Sequence, residues 1–208
     1  MKPNRVLINR YWTATVFVVL ITAMLMSGCE EDGSPTDPGE PIKLIPLSAD
    51  MQWIYDTEGY ENDSLIYRNT DTMTVSGAVL TWGGSYWHYY NGEYDVYWRN
   101  GVDGIWRLRM DDDNPNGLAE KYYEFPTRAG EKWFVPSDDD TVSVVSITET
   151  VEVPAGTFEG CYYYRFIRAD GGRQVSTWVK PDIGIVQRTM VEFVDGDTLR
   201  SSTKLIVY

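Results

Sequence analysis

Short segments in which apolar residues alternate with polar ones follow one another from residue 53 to the end of the chain. In residues 93–98, for example, Tyr94, Val96 and Trp98 alternate with Glu93 and Asp95. A period of two is typical of β-strands that bury one face. No segment after residue 28 keeps the 3.6-residue period of an amphipathic helix. The pattern therefore predicts many strands and minimal helix.

Turn-forming residues set the limits of these strands. Asn91-Gly92 predicts a type I′ hairpin between 85–90 and 93–98, and Pro154-Ala155-Gly156, Gly171-Gly172 and Asp195-Gly196-Asp197 predict three more. The other expected strands are 64–70, 72–80, 105–110, 121–125, 141–153, 157–167, 174–179, 185–194 and 198–208. The fold class is therefore all-β. We expect an antiparallel meander that forms a curved sheet, half-barrel or barrel.

Two similar phrases divide the predicted domain. Pro46 precedes Trp53 by seven residues, and Pro126 precedes Trp133 by the same interval, with apolar residues after each tryptophan. One interpretation is a weak internal repeat in which each copy opens a meander; the other is chance. On the first interpretation a single β domain, 47–208, has halves 47–125 and 126–208.

The N-terminus has the order of a secretory signal. Three basic residues precede an apolar run that ends at Met26, followed by Ser27, Gly28 and Cys29. The apolar run is short for a membrane-spanning helix. A plain N-terminal membrane anchor with an incidental cysteine is the alternative.

The phrase Met26-Ser27-Gly28-Cys29 resembles the lipobox of bacterial lipoproteins, with Met26 where leucine is commonest. The resemblance implies that residues 1–28 are a lipoprotein signal peptide and that Cys29 is lipidated, with palmitate among the acyl chains. Residues 29–46 then form an acidic tether rich in proline and glycine. Glu30 is not the aspartate linked to inner-membrane retention, which favours the outer membrane.

Charge and cysteine content limit the partners. The formal net charge is −13, and removing residues 1–28 takes away three basic residues and gives −16. This balance argues against nucleic acid, whose phosphates need Lys and Arg, and against lying flat on anionic lipid. With Cys29 acylated, Cys161 has no partner in the chain, which excludes a disulfide framework.

A second resemblance rests on the phrase Val-Glu-Val-Pro-Ala-Gly-Thr-Phe at 151–158, with Cys161, Trp178 and Gly184-Ile185-Val186 after it. These residues resemble the signature of uncharacterised envelope lipoproteins. The resemblance implies a curved all-β domain with no established activity and a cysteine packed in the core.

Catalytic residues are scarce. His88 is the only histidine and lies in an aromatic strand, where a packed or rim position is the simpler interpretation. Cys161 lies among tyrosines and a phenylalanine, as a small buried hydrophobe would. We therefore expect no enzyme. A hydrolase with paired carboxylates is the alternative, although no pair stands out.

Residues 112–117 fit the start of a calcium loop, because oxygen-bearing side chains at alternate positions precede a glycine turn. The candidate Ca²⁺ ligands are Asp112, Asn114, Asn116 and Glu120. Tyr123 stands where a bidentate glutamate is needed, and no flanking helix is predicted. A solvated turn is the alternative, and we expect no other cofactor.

Aromatic residues are concentrated between residues 82 and 106. Alternation cannot bury all of them on one face. Exposed tyrosine and tryptophan side chains stack on sugars or line apolar grooves. The candidate ligand-binding residues are Tyr86, Trp87, Tyr89, Tyr94 and Trp98; the alternative is that both faces are covered. The sequence predicts a lipid-anchored envelope protein with a non-catalytic binding or structural role. A carrier or binder of a hydrophobic molecule or glycan is the second interpretation, and a protein partner stays open.

Overall fold

A computed structural model describes residues 42–90, 96–110, 112 and 114–208. The predicted signal peptide, Cys29, most of the predicted tether and Tyr94 lie outside the described residues. Residues 42–208 form one compact unit. None of the helical residues described here forms a segment with the length and apolarity of a membrane-spanning helix.

The described chain is almost entirely β-strand, as predicted. The strands are β1 (Gln52–Glu61), β2 (Ser64–Trp82), β3 (Ser85–Tyr90), β4 (Val96–Gly101), β5 (Gly104–Arg109), β6 (Leu118–Glu124), β7 (Lys132–Val135), β8 (Asp140–Val153), β9 (Gly156–Arg168), β10 (Arg173–Lys180), β11 (Gly184–Val194) and β12 (Asp197–Val207). A 3₁₀ turn at Pro136–Asp138 follows β7. The all-β prediction with minimal helix is confirmed.

All strands belong to one antiparallel sheet in the order β6-β5-β4-β3-β2-β1-β12-β11-β10-β9-β8-β7. Two six-strand meanders, β1–β6 and β7–β12, are thus joined where β1 pairs with β12, for example at Tyr55 and Leu205. The two edge strands, β6 and β7, are consecutive in the chain, and the sheet nearly closes into a barrel. Trp53 and Trp133 stand at the second position of β1 and β7, so the two similar phrases open the two meanders.

Two predicted details are wrong. Segments 64–70 and 72–80 are one strand, β2, because the intervening Asp71 pairs with Tyr55 and keeps the ladder continuous. Strands β3 and β4 form the predicted hairpin, but Tyr89 pairs with Tyr97 rather than Tyr94. A two-residue turn would pair Tyr89 with Tyr94, so the register of β3 with β4 differs from the predicted one, while Asn91 and Gly92 themselves lie outside the described residues.

The inner face of the sheet is filled by large side chains. The largest are Trp53, Tyr55, Tyr123, Tyr164 and Phe166, each no more than 2% exposed. Their polar atoms have partners: the Trp53 indole donates to the Ile183 carbonyl at 2.7 Å, and the Tyr55 hydroxyl donates to the Ile185 carbonyl at 2.9 Å. The core is therefore built from packed rings, in the manner of small barrels whose interior side chains fill the space.

Residues 43–47, here called the N-terminal strap, belong to the folded domain. Leu44, Ile45 and Leu47 are buried in the core, at 1%, 2% and 5% exposure. The Lys43 and Asp182 backbones are joined, because the Asp182 amide donates to the Lys43 carbonyl at 2.7 Å. The predicted tether boundary at residue 46 is therefore corrected to residue 42 or earlier. Burial of each leucine or isoleucine contributes about 1.5–3 kcal/mol, which outweighs the tether-like composition around it.

Candidate functional site

The predicted ligand-binding residues fall on both faces of β3 and β4. Trp98 packs in the core and pairs with His88, so both side chains lie on the inner side of the sheet. Tyr86 is two positions before His88 on the same strand and therefore lies on the inner side as well. Trp87 and Tyr89 point to the outer face. Trp87 and Trp98 are 1% and 6% exposed, and their assignment as ligand contacts is wrong because neighbouring side chains cover them. Tyr86, 69% exposed, and the half-buried Tyr89 remain accessible.

Tyr89 lies in an open groove of about 540 Å³ on the outer face, at the edge where β1, β2 and β3 meet. Gln52 and Thr74 are directly paired across β1 and β2, and their side chains line the groove. Asp50 and Ser76 line it from either side of that pair. The result is a shallow surface that combines one aromatic ring with hydroxyl, amide and carboxylate groups. We call it the Tyr89 groove.

An irregularity in β2 gives the Tyr89 groove its shape. Val75 pairs with Tyr90 and Val79 pairs with His88, so residues 76–78 face Tyr89 alone. Such a bulge interrupts the ladder, bends the strand and re-aims side chains. The Ser76 hydroxyl accepts a hydrogen bond from the Ala78 amide at 3.1 Å, which fixes the bulge. The groove is therefore a built feature of the sheet.

Other outer-face aromatic residues are covered. The Trp82 and Trp87 rings meet edge to face at 6.0 Å, and Leu108, which is fully buried, lies on the same side of the sheet. The turn at 114–117 covers this cluster, since the Trp82 indole donates to the Asn116 carbonyl at 3.0 Å. A Cβ added to Gly117 would lie 2.9 Å from the Trp82 indole nitrogen, so this contact needs glycine. Both faces of the sheet are thus covered around Trp82 and Trp87, in agreement with the alternative interpretation of the aromatic residues given in the sequence analysis.

One of the four candidate Ca²⁺ ligands, Glu120, is already occupied by other protein groups. Glu120 lies on β6 and is 6% exposed, and both of its carboxylate oxygens accept hydrogen bonds from protein groups. The backbone carbonyl of Asn116 accepts the hydrogen bond from the Trp82 indole, so this residue lies against the outer-face cluster. In the parts of the chain that are described, no group of three or more His, Cys, Asp or Glu residues could hold a metal ion. The turn at 114–117 covers Trp82, and the assignment of Glu120 as a ligand is wrong because its carboxylate is buried and hydrogen-bonded within the protein. Asp112, Asn114 and Asn116 stay predictions.

Glu120 instead forms part of a buried ionic cluster between the two edges of the sheet. Arg107 on β5 donates to Glu120 through Nε at 3.0 Å, and its Nη2 lies 2.8 Å from an oxygen of Asp138. The Ser137 amide donates to the other Glu120 oxygen at 3.1 Å. Since residues 136–138 directly follow β7, this cluster spans the gap between β6 and β7. We call Arg107, Glu120, Ser137 and Asp138 the seam clasp.

A second contact joins the other end of β6 to β9, in the second six-strand meander. The Tyr164 hydroxyl on β9 donates to the Glu124 carbonyl at 2.8 Å. The Tyr123 ring packs edge to face against Tyr164 at 4.9 Å. Burial raises the pKa of Tyr164 far above its usual range, which keeps this hydroxyl protonated and able to donate. Side-chain hydrogen bonds at both ends of β6 thus connect it to the second six-strand meander.

Asp140 begins β8 beside the clasp and is 2% exposed. One of its oxygens accepts from Arg173 at 2.9 Å, while the other has no protein partner. Burial raises its pKa even though the guanidinium of Arg173 favours the charged form. The carboxylates of this region are committed to arginines in the protein interior and do not line an accessible cleft.

The two remaining candidate reactive side chains have packed environments. Cys161 is fully buried, its thiol lies 3.4 Å from the Phe158 carbonyl, and burial raises its pKa to about 11. A thiol in that state is a poor nucleophile at neutral pH. His88 is half-buried, and its Nδ1 has no protein partner. The core interpretation of Cys161 is confirmed.

Sequence reasoning missed the polar side of the Tyr89 groove and the arginine of the seam clasp. No sequence motif includes Gln52, Thr74 or Asp50. The bulge in β2 is signalled only by Ser76-Gly77, which interrupts the alternating pattern of that strand. For Arg107, the signal is its place between apolar residues in 105–110, where a charge on the inner side of a strand needs a partner.

No family model matches the sequence, and no curated protein matches it. The comparison with solved structures gives two weak matches to this chain. One is a candidate lipoprotein from Parabacteroides distasonis, 13% identical, with a TM-score of 0.41 over 81% of this chain and 99% of that one. The other is a candidate exported protein with a YmcC-like fold from Bacteroides fragilis, 16% identical, with the same TM-score over 80% and 98%. Neither resemblance identifies a ligand or an activity.

Proposed function

We propose that this chain is a lipid-anchored protein of the bacterial cell envelope with a non-catalytic binding or structural role. The observation that carries the proposal is the cysteine at position 29, directly after Ser-Gly at the end of a basic and then apolar N-terminus. Thioether-linked and amide-linked acyl chains on that cysteine supply the two or more chains that stable anchoring needs. Glu30 favours the outer membrane, with the domain facing the periplasm or the cell surface.

The strap gives the anchor a mechanical connection to the domain. Residues 30–42 separate Cys29 from the strap, and thirteen extended residues reach about 45 Å. The strap itself is held by the buried Leu44 and Ile45 and by the hydrogen bonds to Asp182. A force on the lipid anchor therefore reaches the core of the domain through one short tether, which suits a domain held near a membrane.

The packed interior favours a surface role over a carrier role. Trp53, Tyr123 and Tyr164 occupy the space in which a barrel carrier would hold a hydrophobic molecule. Glu120 and Asp138 meet at the buried Arg107 rather than at a cleft, whereas Asp56 and Glu58 line an open pocket in which both face Arg68. These environments support binding or scaffolding at the outer surface.

Detergent phase partitioning of the chain made in a bacterium that processes lipoproteins tests the anchor. We expect the mature protein in the detergent-rich phase, because two or more acyl chains outweigh a soluble acidic domain. A matched sample that lacks residues 1–29 and begins at Glu30 is expected in the aqueous phase. Recovery of both forms in the aqueous phase would contradict the proposal.

A further inference from the structure

We propose that the Tyr89 groove binds a neutral oligosaccharide. This inference deepens the binding role proposed above, and it names a ligand class for a site that the lipid anchor does not require. It starts from the groove's volume of about 540 Å³, which lies within the range of small-molecule sites.

The lining groups match the two kinds of surface that a sugar presents. Tyr89 offers an aromatic ring against which the C–H face of a sugar ring can stack. Gln52 offers both a donor and an acceptor, and Thr74 offers a hydroxyl beside it. Such groups pair with sugar hydroxyls, whereas an apolar ligand would leave them without partners.

The charge of the groove selects against anions. Asp50 is a carboxylate in the lining, and among the described residues that line the groove none is Lys or Arg. The chain as a whole carries a formal charge of −13, which repels anionic ligands from a distance. Acidic sugars and phosphorylated glycans are therefore disfavoured, and a neutral sugar meets no electrostatic barrier.

The groove is held in place before a ligand arrives. The Asp50 amide donates to the Val75 carbonyl at 3.0 Å, and the Val75 amide donates to the Met51 carbonyl at 2.9 Å. Asp50 itself has a φ of 66°, a backbone conformation that costs free energy outside glycine and holds only when the surroundings fix it. On the other side, the Tyr89 ring packs edge to face on Tyr97 at 5.6 Å. Rigid groups lose little entropy on binding, which suits weak carbohydrate recognition.

Saturation-transfer difference NMR on the full mature chain in mild detergent tests this site. The probes are a tetramer of N-acetylglucosamine and maltotetraose, both neutral, each at about 10 mM because shallow polar sites bind weakly. We expect signal from the ring protons of at least one probe, and about tenfold weaker binding in Tyr89→Ala. Tyr89→Phe retains the ring and is expected to bind within about threefold of the wild type.

Two further variants make the result specific. Tyr67→Ala removes an exposed tyrosine of β2 that does not line the groove, and it is expected to leave binding unchanged. Gln52→Ala removes an exposed polar contact and is expected to weaken binding even if Tyr89→Ala does not fold. Absence of signal from both probes overturns the proposal, as does equal binding by Gln52→Ala and wild type, or signal only from a cationic probe such as choline. None of these results depends on whether Cys29 is lipidated.

Discussion

Glu120→Ala is expected to lower the free energy of unfolding by about 3–5 kcal/mol. Arg107 and Glu120 are 8% and 6% exposed, and the substitution leaves the arginine buried with part of its charge uncompensated. It also removes the acceptor of the Ser137 amide, and thus one of the contacts across the gap between β6 and β7. The measurement is urea unfolding followed by tryptophan fluorescence.

Two control variants isolate the buried pair. Arg68→Ala breaks the ion pair with Asp56, in which the arginine side chain is 61% exposed, and it is expected to cost much less than Glu120→Ala because solvent screens the pair. The double variant Arg107→Met, Glu120→Leu replaces the charges by apolar groups and is expected to be more stable than Glu120→Ala alone. A cost below about 1 kcal/mol for Glu120→Ala would show that the clasp does not hold the seam.

Cys29→Ser is expected to abolish incorporation of labelled palmitate. A serine hydroxyl does not form the thioether on which the later acylation depends, so the effect is complete rather than graded. The matched control is Cys161→Ala, which removes the only other cysteine and is expected to keep full labelling because that thiol is buried in the core. Persistent labelling of Cys29→Ser would place the lipid elsewhere or refute the anchor.

The strands were predictable because alternation and turn residues are local signals. The hairpins at 154–156, 171–172 and 195–197 stand where the sequence predicts them, since each turn is fixed by its own glycine or proline. The register of β3 with β4 was not predictable from the sequence. The Asn91-Gly92 signal involves only two residues, whereas the register is set by all the pairs along the two strands, such as His88 with Trp98. Tertiary pairing outweighed the turn preference.

The site was less accessible to sequence reasoning than the fold. Alternation within one strand does not show that Trp87 and Trp98 face opposite ways, because that depends on the register of β3 with β4, and it does not show that the turn at 114–117 covers the outer face. Residues far apart in sequence build the Tyr89 groove, with Asp50 and Tyr89 brought together through β2. The same holds for Leu44 and Ile45, whose burial depends on a barrel end formed by Asp182 and Asn100. Long-range contacts of this kind leave no local pattern.

The central claim is that the mature chain begins with a lipidated cysteine at position 29. Mass spectrometry of the N-terminal peptide, prepared from the membrane fraction of cells that express the whole chain, tests it most directly. We expect a peptide that starts at Cys29 and carries the mass of a diacylglyceryl group together with an N-acyl chain. An N-terminus at any other residue, or an unmodified Cys29 on the membrane-bound protein, would contradict the claim.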